Sequence, residues 1–292
     1  MAVAGMSMAD RPSLLVIGHG SRSAAGVADY WSLVDVVRAR DPSLPIGGGF
    51  IELAQPEVDA AIDELVAAGG RCVVAVPLVL LGAGHLKDDG PSILARARRR
   101  HPRVAFHYGR ALDIHPLVLA VARDRIVETL EGRNPAHSAV VLVGRGSSDP
   151  DANADLYKVA RLLQDMSGVA MVEPAFVSLA RPSVPDALER CRRLGAATAA
   201  VVPYFLFRGV LVDRIAHQAR AWNAAAPSTQ VLVGRHLGSE PGIACLVLER
   251  YREALAGEAR MNCDCCVHRV AGAPEAGRDM VAGDGRRVRF LG

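Results

Sequence analysis

The chain has 292 residues, half of them apolar and only 4% aromatic, with 34 Lys and Arg against 31 Asp and Glu. That length suits about two domains, each able to bury a core; a net charge of +3 with no long basic run argues against a nucleic-acid partner. No uncharged apolar stretch approaches the roughly 20 residues that span a bilayer, and the opening MAVAGMSMADRP lacks the regions of a secretory leader, so a cytoplasmic protein without a membrane partner is expected.

Along the chain, residues 13–18 read as a strand, 24–40 as a helix, 45–51 as a strand and 55–68 as a helix. The alternation continues with a strand at 72–81, a helix at 90–100, a strand at 103–108 and a helix at 115–131. The strand segments are continuous runs rich in Val, Ile and Leu, apolar on both faces, which points to a parallel sheet covered on both sides. Beyond residue 134 the pattern starts again. FIELAQPEVDAAIDELVAAGG at 50–70 returns as FVSLARPSVPDALERCRRLGA at 176–196, so that Phe50 and Phe176, Pro56 and Pro182, and Pro77 and Pro203 are each 126 apart. LLVIGHGS at 14–21 is matched by VVLVGRGS at 140–147, and YGRALDIHP at 108–116 by VGRHLGSEP at 233–241, now 125 apart. A register held over about a hundred residues marks an internal duplication rather than a short solenoid repeat. The expected fold class is α/β, with two tandem doubly wound parallel-sheet domains at 10–134 and 137–257, followed by a Gly- and Arg-rich tail at 258–292.

In an open parallel sheet, ligands bind beyond the carboxyl ends of the strands, where the strand order reverses. His19 closes the first strand, Glu52 the second, and His85 follows the third after the small-residue run LGAG. With the common order 2-1-3-4, neighbouring strands about 4.8 Å apart bring these three side chains toward one small volume. Two imidazoles and a carboxylate suit a divalent first-row metal, and all three accept protons. A lone strand-end histidine is more often structural, but the second copy sharpens the reading. There His19 becomes Arg145, Glu52 becomes Ser178 and His85 falls opposite Leu211, while the Phe, Pro and Gly positions persist. The backbone pattern is kept twice and the polar trio once, which predicts one reactive site and one degenerate copy.

GHGSR, FIELAQP, PLVLLGAGHLKDD and the 66-residue interval from His19 to His85 resemble the class II chelatases that metallate sirohydrochlorin, over about 245 residues of the chain. The resemblance implies a chelatase- or flavodoxin-like fold and ATP-independent insertion of Co2+, toward cobalamin, or Fe2+, toward siroheme. The absence of a G-x-x-x-x-G-K-[ST] loop agrees with that. By the resemblance His19 and His85 bind the metal and accept protons, with Glu52 assisting. The glycines beside His19 leave room for a flat macrocycle, whose carboxylates suit Ser21, Arg22 and the amides opening the first helix. Lys87, Arg110 and Arg145 are weaker candidates for the same task. Asp88 and Asp89 are read equally well as metal-recruiting or helix-terminal acids, His115 as a helix-entry residue, and His236 has no constellation around it.

Cys72, Cys191 and Cys245 stand alone in apolar surroundings as small core residues, while the other three cysteines crowd into MNCDCCVHR. That stretch resembles the short C-terminal iron–sulfur motif of long cobalt chelatases, which implies Cys263 and Cys266 as ligands and leaves Cys265 open. A cluster wants four ligands, so His268, a non-protein ligand or a second subunit in a homodimer would complete it; zinc is the competing occupant. The tail favours cobalt over iron by analogy. A reading from another class is a metal-binding chaperone or redox sensor built on an α/β scaffold.

Overall fold

The computed structural model describes residues 11–82 and 84–258, with backbone alone for 84–89 and 91. In the first half, β1 (Ser13–Gly18), α1 (Ala24–Arg40), β2 (Ile46–Phe50), α2 (Val58–Ala67), β3 (Cys72–Pro77), α3 (Gly84–Arg100), β4 (Ala105–Tyr108) and α4 (Pro116–Thr129) follow in turn. The second half repeats this as β5 (Ser138–Gly144), α5 (Pro150–Ser167), β6 (Met171–Phe176), α6 (Val184–Arg193), β7 (Thr198–Pro203), α7 (Val210–Ala225), β8 (Gln230–Val233) and α8 (Pro241–Leu255). Each half makes an all-parallel four-stranded sheet, ordered β2-β1-β3-β4 and β6-β5-β7-β8. In both, the order reverses between the first and third strands, which is the common order 2-1-3-4 taken above.

The strands are apolar throughout because both faces are covered. Along β1, Leu14 and Val16 point into one cluster and Leu15 and Ile17 into another. Along β5, Val140 and Leu142 face that same first cluster, while Val141 and Val143 face a third. The molecule is therefore five-layered. Helices α2 and α3 cover the outer face of the first sheet and α6 and α7 that of the second. A shared layer of α1, α4, α5 and α8 lies between the sheets. Each fully buried Leu or Ile of this layered core contributes about 1.5–3 kcal/mol.

Within the shared layer the halves exchange their last helices. α4, from the first half, packs on α5 and on β7, whereas α8, from the second half, packs on α1, β3 and β4. Two buried arginines, 125 apart, fix the exchange. Arg125 of α4 donates to the carbonyls of His236 (3.0 Å) and Leu237 (2.6 Å), and Arg250 of α8 to those of Ala111 (3.0 Å) and Leu112 (2.8 Å). Ion pairs stand beside them: Arg110 forks onto Glu253 through Nε and Nη2, both at 3.0 Å, and Arg235 Nε meets both Glu128 oxygens, at 2.8 and 3.1 Å. The described residues fall within one compact unit.

Two element boundaries differ from expectation with a physical reason. The third strand stops at Pro77 rather than running to 81: Leu78 still donates its amide to Ile17 O (2.8 Å), but Val79 turns back and donates to Pro77 O (3.0 Å). α3 begins at Gly84 rather than 90. Gly90-Pro91 looks like a helix entry, but the helix runs through it and gives up the backbone bond that a proline cannot make. His85 thus belongs to the first turn of α3 instead of the preceding loop.

Candidate active site

The carboxyl edge of the first sheet is extended by backbone bonds that run past the ends of the strands. Ile51 donates to Gly18 O (2.9 Å) and Glu52 to His19 O (3.0 Å), which sets the two candidate residues side by side. The chain then doubles back, with Ala54 N–H on Glu52 O (2.8 Å) and Leu53 in the left-handed region at φ 65°. Gly20, at φ 101°, is required by this turn: a Cβ there would lie 1.7 Å from Glu52 O. Below the site Tyr30 packs on Phe50 with ring centroids 4.3 Å apart, and its hydroxyl donates to Val16 O (2.9 Å).

In this frame His19 Nδ1 lies 3.5 Å from Glu52 Oε1, with side chains 38% and 56% exposed, so both are open to an incoming ligand. A carboxylate beside Nδ1 favours the tautomer protonated there, which leaves the Nε2 lone pair unprotonated. The side chains of His85, Lys87, Asp88 and Asp89 lie outside the described residues. The backbone places His85 one position into α3, after a loop that leaves β3 hydrogen-bonded to the end of β1.

The second copy reproduces the frame bond for bond. Val177 donates to Gly144 O (3.0 Å), Ser178 to Arg145 O (3.0 Å) and Ala180 to Ser178 O (2.6 Å). Leu179 sits at φ 57° and Gly146 at φ 86°, where a Cβ would lie 2.1 Å from Ser178 O. Leu211 is the second residue of α7, as His85 is of α3. The geometry is retained while the imidazoles and the carboxylate are replaced.

The remaining candidates divide by what already holds them. Ser21 Oγ accepts the Ser23 amide (3.0 Å), leaving its own hydroxyl proton to donate, and Ser23 caps α1 through the Gly26 amide (3.4 Å). Arg22 and Arg145 are exposed. Arg110 is engaged by Glu253 and has Asp113 at 3.6 Å. His115 caps α4, accepting the Leu117 amide (3.2 Å), with Glu249 at 3.3 Å from its other nitrogen. Cys191 is buried, which pushes its thiol up to about 12, and Cys72 and Cys245 are partly buried. Cys263, Cys265 and Cys266 lie outside the described residues.

Sequence reasoning missed one polar cluster near the site. Asp29 of α1 binds the Arg208 guanidinium (2.6 Å at closest) and its amide (2.9 Å), and lies 3.2 Å from His236 Nε2. Burial pushes the Asp29 carboxyl up, but the hydrogen bonds and charge of Arg208 and the charge of His236 hold it below its ordinary value. Burial also draws the His236 imidazole down, against the pull of Asp29. The available signal was the repeat itself, since Asp29 returns 126 residues later as Asp155.

The CbiX family model matches residues 13–129 and again 139–254, once for each half. A sirohydrochlorin cobaltochelatase of Priestia megaterium is 36% identical over 260 residues, 88% of this chain and 85% of that protein. A sirohydrochlorin ferrochelatase of Bacillus subtilis is 31% identical over 84% of this chain and 93% of its own length. Among solved structures, SirB from Bacillus subtilis with Fe3+ superposes with a TM-score of 0.75 at 30% identity, covering 86% of this chain and all of that one.

Proposed function

The chain belongs to the CbiX family, and from that premise we propose that it is a sirohydrochlorin chelatase, a lyase that inserts Co2+ into sirohydrochlorin without ATP for cobalamin biosynthesis. Fe2+ insertion for siroheme is the second reading, favoured by the ferrochelatase relative. The observation that carries the proposal is the His19–Glu52 pair, 3.5 Å apart, at the sheet edge where strand order reverses, in a frame whose second copy lacks both groups.

Metal insertion requires a divalent cation to shed its waters and two pyrrole N–H protons to leave. In the proposed mechanism His19 and His85 hold the incoming ion through neutral imidazole nitrogens. As the macrocycle takes the metal, each freed imidazole accepts one pyrrole proton, and Glu52 offsets the charge that forms on His19. The carboxylates of the tetrapyrrole are assigned to Ser21, Arg22, Lys87 and Arg145. Arg110 joins them from a position that its ion pair with Glu253 fixes. On this reading the segment 10–134 carries the site, 137–257 is the degenerate copy, and 258–292 is an accessory tail. The tail thiols Cys263, Cys265 and Cys266 are proposed to bind an iron–sulfur cluster. Iron and acid-labile sulfide analysis decides that against zinc, and sedimentation tests a homodimer sharing the cluster.

Purified protein is incubated anaerobically with sirohydrochlorin and Co2+, Fe2+ or Ni2+ while the absorbance of the macrocycle is followed. The expected outcome is metallation well above the uncatalysed rate, fastest with Co2+. Rates equal to the uncatalysed reaction with every metal overturn the proposal, and a faster reaction with Fe2+ selects the second reading.

A further inference from the structure

The Asp29 cluster joins the halves at a place that the reaction, as derived above, does not use. One carboxylate of the first half gathers two loops of the second. From the loop between β7 and α7 come the Arg208 amide and guanidinium; from the loop between β8 and α8 comes His236. Ser239 of the latter loop donates its hydroxyl to the Asp29 carbonyl (3.0 Å). The Asp29 and His236 side chains are 14% and 15% exposed, so their contact is sheltered; that of Arg208 is 55% exposed.

The gathered loop lies beside Ser21 and the first turn of α1. A Cβ on Gly26, in the first turn of α1, would meet Arg208 O at 2.5 Å, and Ser21 Oγ lies 3.3 Å from that same point. The Oγ is also 3.9 Å from the Cβ position of Gly209. Phe207 packs edge-on against Tyr30, with centroids 6.0 Å apart, and Tyr30 supports Phe50. Residues 207–209 of the second half thus stand beside Ser21 and over the aromatic support of the β1–β2 edge.

The three residues gathered on Asp29 are not carried by the repeat. Carried back by 126 or 125 positions, Asp155 corresponds to Asp29, but Gly82 corresponds to Arg208, Ala111 to His236 and Ile114 to Ser239. The aspartate is present in both copies, whereas Arg208, His236 and Ser239 occur only in the second half.

We propose that Asp29, Arg208 and His236 act as positioning residues: they clamp the 207–209 loop of the second half against Ser21 as a wall of the crevice, and so set the affinity for the tetrapyrrole. The clamp touches neither the metal nor the pyrrole nitrogens. It acts through Ser21 and the start of α1, and it rests on the chelatase reading for the identity of the ligand.

Steady-state metallation separates a wall from a general brace. Arg208→Ala raises KM for sirohydrochlorin about five-fold, the upper end of what a half-exposed ion pair carries, with kcat and KM for Co2+ unchanged. Arg208→Lys restores part of the loss, because the charge returns without the fork. The control is Arg235→Ala, which breaks the Arg235–Glu128 pair between the same halves and leaves KM at the wild-type value. An unchanged KM in Arg208→Ala overturns the proposal, as does an equal rise in Arg235→Ala. If wild-type protein does not metallate sirohydrochlorin at all, the function reading has failed and hydrogen exchange judges the clamp alone. Amides of residues 19–26 exchange faster in Arg208→Ala than in Arg235→Ala, and equal protection in the two variants overturns it.

Discussion

His19 and Arg145 occupy the same backbone position in two copies of one frame, so replacing each tests the chemistry while holding the geometry constant. His19→Ala removes the proposed metal ligand and proton acceptor together and is expected to lower kcat by about 10²–10⁴. Arg145→Ala is expected to act on KM for the tetrapyrrole alone, and initial rates at saturating and limiting sirohydrochlorin distinguish the two. Glu52→Gln keeps the shape but loses the charge proposed to orient and stabilise the imidazole, and a fall of about ten-fold is expected. Asp113 gives a pH test. It sits at φ 56°, where its counterpart 125 residues later is Gly238 at φ 80°. Burial pushes its carboxyl up, over the opposing charges of Arg110 and Arg250. A raised folded-state value means that the folded protein holds this proton more tightly than the unfolded chain. Its contribution is therefore present at acid pH and lost as pH rises through the folded value. Asp113→Asn, which tolerates the same backbone conformation, is expected to raise the melting temperature relative to wild type at pH 8 and to give no gain at pH 3. The sequence made His19 and Glu52 legible because each closes an apolar run and disappears in the second copy. Asp29 and His236 were not legible, since their partners come from the other half and no local spacing encodes that meeting.

At the level of elements, continuous Val, Ile and Leu runs made the strands readable, and the helices lay between them. The start of α3 was missed because Gly90-Pro91 has the look of a beginning. α6 illustrates what a cap contributes. Ser183 Oγ accepts the Asp186 amide (3.3 Å) while the Asp186 carboxylate accepts the Ser183 amide (2.9 Å). That amide, with the Ser183 hydroxyl and Arg181, draws the carboxyl down to about 2. Ser183→Ala is expected to cost about 1 kcal/mol at neutral pH. A depressed carboxylate stabilises fully above its ordinary value and loses that contribution as pH falls toward the folded one. Urea titrations at pH 7 and pH 2.5 therefore show a larger difference between variant and wild type at pH 7. The exchanged helices give a stronger effect. Arg250 is 1% exposed, and truncating it leaves the Ala111 and Leu112 carbonyls without this donor and removes one of the two arginines on Glu253. Arg250→Ala is expected to destabilise by about 3 kcal/mol, against less than about 0.5 kcal/mol for the half-exposed Arg123→Ala, both read from urea midpoints.

For the molecule as a whole, the 126-residue register made the duplication plain but could not say on which sheet each helix would settle. Helices α4 and α8 have the same place in their repeats, and sequence order alone would put each on its own sheet. The structure crosses them, and the apolar cluster between the sheets draws side chains from both halves. Unfolding is expected to be a single cooperative transition, with far-ultraviolet dichroism and Trp fluorescence changing together. Two separated transitions would contradict a core held in common. A fragment ending at residue 134 lacks α8 to cover β3 and β4 and has an α4 with no β7 beneath it. It is expected to remain unfolded or to associate in pairs, with light scattering reading its mass. Two identical short chains paired in this way would have matching mouths, and any change at one would be imposed on the other. Joined head to tail, the same scaffold can let one mouth keep an acid–base pair while the other turns to Arg and Ser; the linker at residues 130–137 is what gives each rim its own history.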